Sequence, residues 1–73
     1  MQSQGFEETH AAYISDPRKL IGQVRRLGDA GPAYEVVAVD EQGKVVIEVI
    51  HSGGRAAFPV EEVLEDPMAE TFP

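Results

Sequence analysis

The chain has 73 residues, no cysteine, 42% hydrophobic residues and a formal net charge of −7. That length allows one domain with a barely sufficient core, and the missing thiols exclude disulfide staples and thiolate metal sites. The excess of acids repels nucleic-acid phosphates at long range and favours basic partners.

Residues 1–15 open the chain. Met1, Gln2, Ser3, Gln4 and Gly5 show neither the positive start nor the apolar core of a signal peptide. No apolar run approaches the length of a bilayer span. A soluble, cytoplasmic protein with no membrane association is the expectation. Phe6, His10, Tyr13 and Ile14 keep helical spacing, so residues 1–15 read as a flexible segment or a short amino-terminal helix.

Residues 16–67 read as the single small domain, and its first part supports two local structures. Asp16 and Pro17 suit an N-cap and first helical position, Leu20, Ile21, Val24 and Leu27 follow at helical spacing, and Gly28 is a stop. Against a helix, Gly22 costs about 1 kcal/mol inside one, and a sheet with two apolar faces needs another strand to close around its core. This part is also the basic one: Arg18, Lys19, Arg25 and Arg26 stand against Asp16 alone.

From residue 34 onward the pattern is that of a three-stranded antiparallel meander. Two runs rich in β-branched residues, 34–39 and 45–50, flank Asp40, Glu41, Gln42 and Gly43. Asp40 and Gly43 fit a type I turn closed by a left-handed glycine, which sets Asp40 against Lys44, Val39 against Val45, Val37 against Ile47 and Glu35 against Val49. The pair Gly53-Gly54 suits a two-residue hairpin loop, which sets Ser52 against Arg55, His51 against Ala56, Val49 against Phe58 and Ile47 against Val60. Both registers put Val37, Val39, Val45, Ile47, Val49, Phe58 and Val60 on one face, the predicted core. The opposite face carries Tyr34, Val36, Ala38, Val46 and Ile50 with Glu48 among them, and an apolar face of that kind needs a cover.

Pro59 followed by Val60, Val63 and Leu64 gives the spacing of one helical or 3₁₀ turn, which Pro67 ends. The charged residues beyond Val60 are all acids: Glu61, Glu62, Glu65, Asp66 and Glu70. Residues 68–73 read as a frayed carboxyl-terminal tail.

Gly22, Val24, Arg26 and Leu27, then Gly31-Pro32 with Tyr34 and Val36, then Phe58-Pro59 with Val63 and Leu64, form a familiar string. It resembles small bacterial domains of unknown function with SH3-like sheets, over about residues 20–66. The resemblance implies a strand at 21–27, a Gly-Pro loop opening the next strand and a Phe-Pro turn entering a short 3₁₀ element. It therefore implies a mainly β fold with minor α, a small antiparallel meander forming a partly open SH3-like barrel. It brings no catalytic residues.

The residues that could carry chemistry do not assemble into a known site. His10 and His51 lie far apart with no ligand spacing between them. The acid pairs Glu7-Glu8, Glu61-Glu62 and Glu65-Asp66 sit on polar stretches, whereas acid–base work needs carboxylates in contrasting environments. Ser3, Ser15 and Ser52 have no nucleophile elbow around them, and Gly53-Gly54 is not followed by the helix and lysine of a phosphate loop. Neither enzyme activity nor any cofactor or metal is expected. On a strand Arg25 and Arg26 point to opposite faces, so one can pair with Glu35 or Glu48 while the other reaches solvent.

The expected function is a non-catalytic protein-interaction module, for instance a small antitoxin-like or regulatory accessory protein. Its partner is basic where it meets the acidic turn of Glu61 and Glu62. The expected contact surface comprises Tyr34, Val36, Glu48 and Ile50, with Arg25 or Arg26 at its edge. The alternative is a nucleic-acid-associated regulator using the basic strip from Arg18 to Arg26, which the net charge opposes. A homodimer that buries the second apolar face, by continuous strand pairing or by face-to-face packing across a two-fold axis, is a third arrangement.

Overall fold

The structure is a computed structural model that describes residues 11–69. A helical turn occupies residues 11–15, and a 3₁₀ helix follows at Pro17–Leu20. Four strands then form one antiparallel sheet in sequential order: β1 (Val24–Arg26), β2 (Ala33–Val39), β3 (Val45–Val49) and β4 (Arg55–Phe58). A short helix, α1 (Val60–Glu65), closes the succession. The fold is mainly β with a minor helical part, and the sheet is open: among the described residues it does not close into a barrel. No helix among them is long and apolar enough to cross a membrane.

The two readings of residues 16–28 divide the segment between them. Asp16 caps the 3₁₀ helix, its carboxylate accepting from the Arg18 N–H at 3.3 Å, and Pro17 occupies the first turn. Leu20 is carried from there into the core. The chain then turns extended at Ile21, and the strand is confined to Val24–Arg26, shorter than the expected 21–27. The amino-terminal helix expected from Phe6 and His10 lies outside the described residues. Its other two positions, Tyr13 and Ile14, are in the helical turn.

The first hairpin follows its turn residues. Gly43 adopts φ 81°, which glycine reaches without steric cost. The Asp40 carboxylate accepts from the N–H groups of Gln42 and Lys44, both at 2.9 Å. Val39 pairs with Val45 as expected, but a β-bulge between Val36 and Ala38 shifts everything beyond it by one residue. Val36 then faces Ile47, and Tyr34 faces Val49. One extra residue exchanges the faces of a strand. The predicted core face is therefore corrected on β2: Tyr34 and Val36 point inward and Val37 does not.

The second hairpin is also corrected. Val49 donates to the Gly54 carbonyl at 2.8 Å and Gly53 donates to Val49 at 2.7 Å, so the loop spans residues 50–53 and is not a two-residue turn. Phe58 lies opposite Val45 instead of Val49. That slip is an even number of residues, so Phe58 keeps its expected face.

The core consists of Leu20, Tyr34, Val36, Val45, Ile47, Val60 and Val63, with Tyr13, Leu27, Val49, Phe58 and Leu64 packed around it. Helix α1 contributes Val60 and Val63, one turn apart on one face. After α1 the chain reaches the free edge of β1. Arg26 N–H donates to the Pro67 carbonyl at 2.9 Å, and Ala69 N–H to the Val24 carbonyl at 3.0 Å. Met68 thereby bridges Arg25 in antiparallel fashion. Met68 and Ala69 are paired where a frayed tail was expected.

Candidate functional site

Arg25 and Tyr34 are register partners on the core face, and together with the end of α1 they build the main polar cluster. Arg25 is only 7% exposed. Its Nε and Nη2 donate to Gln23 Oε1 at 3.2 and 3.0 Å, and its Nη1 to the Asp66 carbonyl at 2.8 Å. The Tyr34 hydroxyl donates to Asp66 Oδ2 at 2.7 Å, and Gly28 N–H to Asp66 Oδ1 at 3.1 Å. Gln23 Nε2 completes the cluster by donating to the Tyr13 hydroxyl at 2.9 Å. Burial raises the Tyr34 pKa well above its usual value, the hydrogen bond to Asp66 and the nearby carboxylate charge add to the effect, and Arg25 opposes it. Each member bonds to another member or to the backbone. No buried side-chain nitrogen or oxygen among the described residues lacks a partner. The cluster ties the helical turn, β1, β2 and the end of α1 to one another.

These positions correct the expected contact surface. Tyr34 and Val36 are fully buried, because the bulge on β2 turns them inward, and Arg25 is occupied inside. Arg26 lies on the opposite face, as strand alternation requires, with Nη1 at 3.5 Å from the Gly31 carbonyl. Glu48 is on that same outer face, directly opposite Glu35, and it accepts from Arg55 at 3.0 Å. The cation beside Glu48 is thus Arg55, which sequence spacing did not suggest. Ile50 is exposed in the second hairpin loop, and Glu61 and Glu62 are exposed on α1. The strip from Arg18 to Arg26 is broken: Arg25 is inside and Arg18 pairs with Asp16.

A groove runs between α1 and the sheet, lined by Leu27, Gly28, Phe58, Glu62, Glu65 and Asp66. Leu27 and Phe58 are half-buried and form an apolar floor. Glu62 and Glu65 are exposed and three residues apart, so they share one side of the helix. Asp66 turns its carboxylate away to Tyr34 and Gly28. Neither Glu62 nor Glu65 has a cation within ion-pair distance among the described residues, where the ion pairs are Arg18–Asp16 and Arg55–Glu48. Glu62 belonged to the expected surface, whereas Leu27, Phe58 and Glu65 did not. Their meeting depends on contacts between distant parts of the chain, which no local pattern announces.

Among the described residues no group of histidine, aspartate and glutamate is arranged to hold a metal ion. His51 is exposed in the second hairpin loop, and His10 lies outside the described residues. No curated protein matches the chain. A match over residues 12–70, which takes in the whole sheet, α1 and the paired segment beyond it, places the chain in the family of unknown function DUF5397.

Proposed function

We propose that this chain is a non-catalytic protein-interaction module that docks a basic segment of a partner protein, as an accessory to that partner. The observation that supports this reading is the groove floored by Leu27 and Phe58 and rimmed by Glu62 and Glu65. A lysine or arginine lays its apolar stem on such a floor and its charged head between two carboxylates. Ion pairs at exposed positions contribute only about 0–1 kcal/mol each, so the apolar contact supplies affinity and the carboxylates supply choice of partner. The buried polar cluster supports a non-catalytic role, because its hydrogen bonds run between separate elements and hold the fold together. The return of the chain to the β1 edge after α1 supports an SH3-like arrangement, in which a final short strand lies beside the first.

Calorimetric titration with an arginine-rich peptide at low salt tests the reading. Binding is expected, weakened at least several-fold by Glu62→Gln combined with Glu65→Gln and little changed by Glu41→Gln in the exposed first turn. If Glu41→Gln and the double substitution act alike, the peptide senses only net charge and the groove has no part in it.

A further inference from the structure

The two edges of the sheet are treated differently. The outer edge of β1 is occupied by the segment carrying Pro67, Met68 and Ala69. The outer edge of β4 has no neighbouring strand among the described residues. Because Val49 donates to the Gly54 carbonyl, Val49–Gly54 is a hydrogen-bonded pair. Alternation then makes Ile47–Ala56 and Val45–Phe58 hydrogen-bonded pairs as well. Ala56 and Phe58 thus spend their backbone groups on β3, while Arg55 and Ala57 aim N–H and C=O outward from the sheet. Edge strands are usually blunted by shortness, charge, proline or a bulge, and β4 has Arg55 at its start and Pro59 directly after its end, which confines the open stretch to a few residues. Here the edge presents the exposed small residues Ala56 and Ala57.

We propose that β4 pairs antiparallel with β4 of a second copy of this chain, about a two-fold axis at Ala56. That register sets Arg55 against Ala57 of the second copy, and all the outward N–H and C=O groups of both residues find partners. Directly opposed residues then share a face, so the two core faces lie on one side of a continuous sheet. Ala56 meets its equivalent at a non-hydrogen-bonded position, where opposed residues come closest and a methyl group fits. A register centred on Ala57 is worse. It aims Arg55 at Pro59, which has no N–H and whose carbonyl already accepts from Glu62 and Val63 at 3.1 and 3.4 Å.

Local charge at the axis does not oppose a second copy. The two Arg55 side chains lie diagonally across the axis, and each is already neutralised by its own Glu48 at 3.0 Å. The opposing force is the net charge of −7 on each copy, so pairing strengthens as salt screens that repulsion.

Sedimentation equilibrium across a dilution series, at low and high salt, tests the pairing. The weight-average mass is expected to rise from 7.9 kDa toward twice that value, and to do so at lower protein concentration in high salt. Ala57→Pro removes an outward N–H while leaving the β3 ladder intact, and it is expected to hold the chain at monomer mass with an unchanged circular dichroism spectrum. Ala56→Glu is expected to do the same by setting two carboxylates face to face across the axis, and it decides the matter should the proline variant unfold. A monomer under every condition overturns the proposal. So does a dimer that survives Ala56→Glu, or an assembly larger than two, which would require β4 to meet a different surface.

Discussion

The Tyr34 hydroxyl is where the long-range order of this small core is most concentrated. It joins the middle of the sheet to Asp66, a residue 32 positions away, at 2.7 Å. The same Asp66 holds the loop after β1 through Gly28 N–H and the Arg25 guanidinium through its backbone carbonyl. A buried guanidinium is costly unless its donors are satisfied, and Arg25 meets the requirement with neutral oxygens. The Asp66 carboxylate stays engaged with Tyr34 and Gly28. Tyr34→Phe keeps the ring and its packing but removes one of the two donors on that carboxylate. Hydrogen bonds to charged groups contribute about 1.5–3 kcal/mol, and urea unfolding of Tyr34→Phe is expected to show a loss of that size. In an Asp66→Asn background the same substitution is expected to cost clearly less, because the partner charge is gone. Equal costs in the two backgrounds would place the loss in packing and not in this bond.

At the scale of elements, turns and bulges decide which side chains are inside. The loop between β1 and β2 makes its close approach at Gly31, where a built Cβ would overlap the Leu27 carbonyl. Backbone cannot yield there as a flexible side chain would. Gly31→Ala is therefore expected to destabilise by about 2–4 kcal/mol, the range of large steric lesions. Gly43→Ala, with open space but φ 81°, is expected to cost only about 1 kcal/mol. Parallel thermal melts of the two variants check the order, and a milder effect at Gly31 would contradict it. The first hairpin was legible in the sequence because Asp40 and Gly43 act within the turn itself. So was α1, whose Pro59, Val60, Val63 and Pro67 encode entry, face and exit locally. The bulge near Val37 was not legible, since both faces of β2 are apolar and periodicity gives no preference between them. What selects Tyr34 and Val36 for the interior is the distant Asp66 together with the packing of Leu20 and Val63. The candidate groove was half legible for the same reason. Its acids stand together in sequence, while Leu27 and Phe58 come from opposite ends of the sheet.

The whole molecule is a single open sheet whose core face is covered by short helical pieces, with the carboxyl-terminal segment laid along its first edge. So small a core leaves stability sensitive to any one group whose protonation differs between folded and unfolded chains. Tyr34 is such a group. Its burial, its bond to Asp66 and the adjacent carboxylate charge all favour the neutral phenol in the folded state, raising its pKa above the unfolded value near 10. A raised folded-state pKa means that the folded chain holds the proton more tightly. The corresponding stabilisation is complete below about pH 10 and drains away as the pH climbs beyond it, because the unfolded chain then ionises first. In a Tyr13→Phe variant Tyr34 is the remaining tyrosine, so phenolate absorbance reports on it alone. That absorbance is expected to appear together with the loss of the far-ultraviolet circular dichroism signal, in one alkaline transition. Phenolate absorbance that rises while the sheet signal persists would mean that Tyr34 ionises inside the folded chain, and that its bond to Asp66 does not hold the core as the geometry requires.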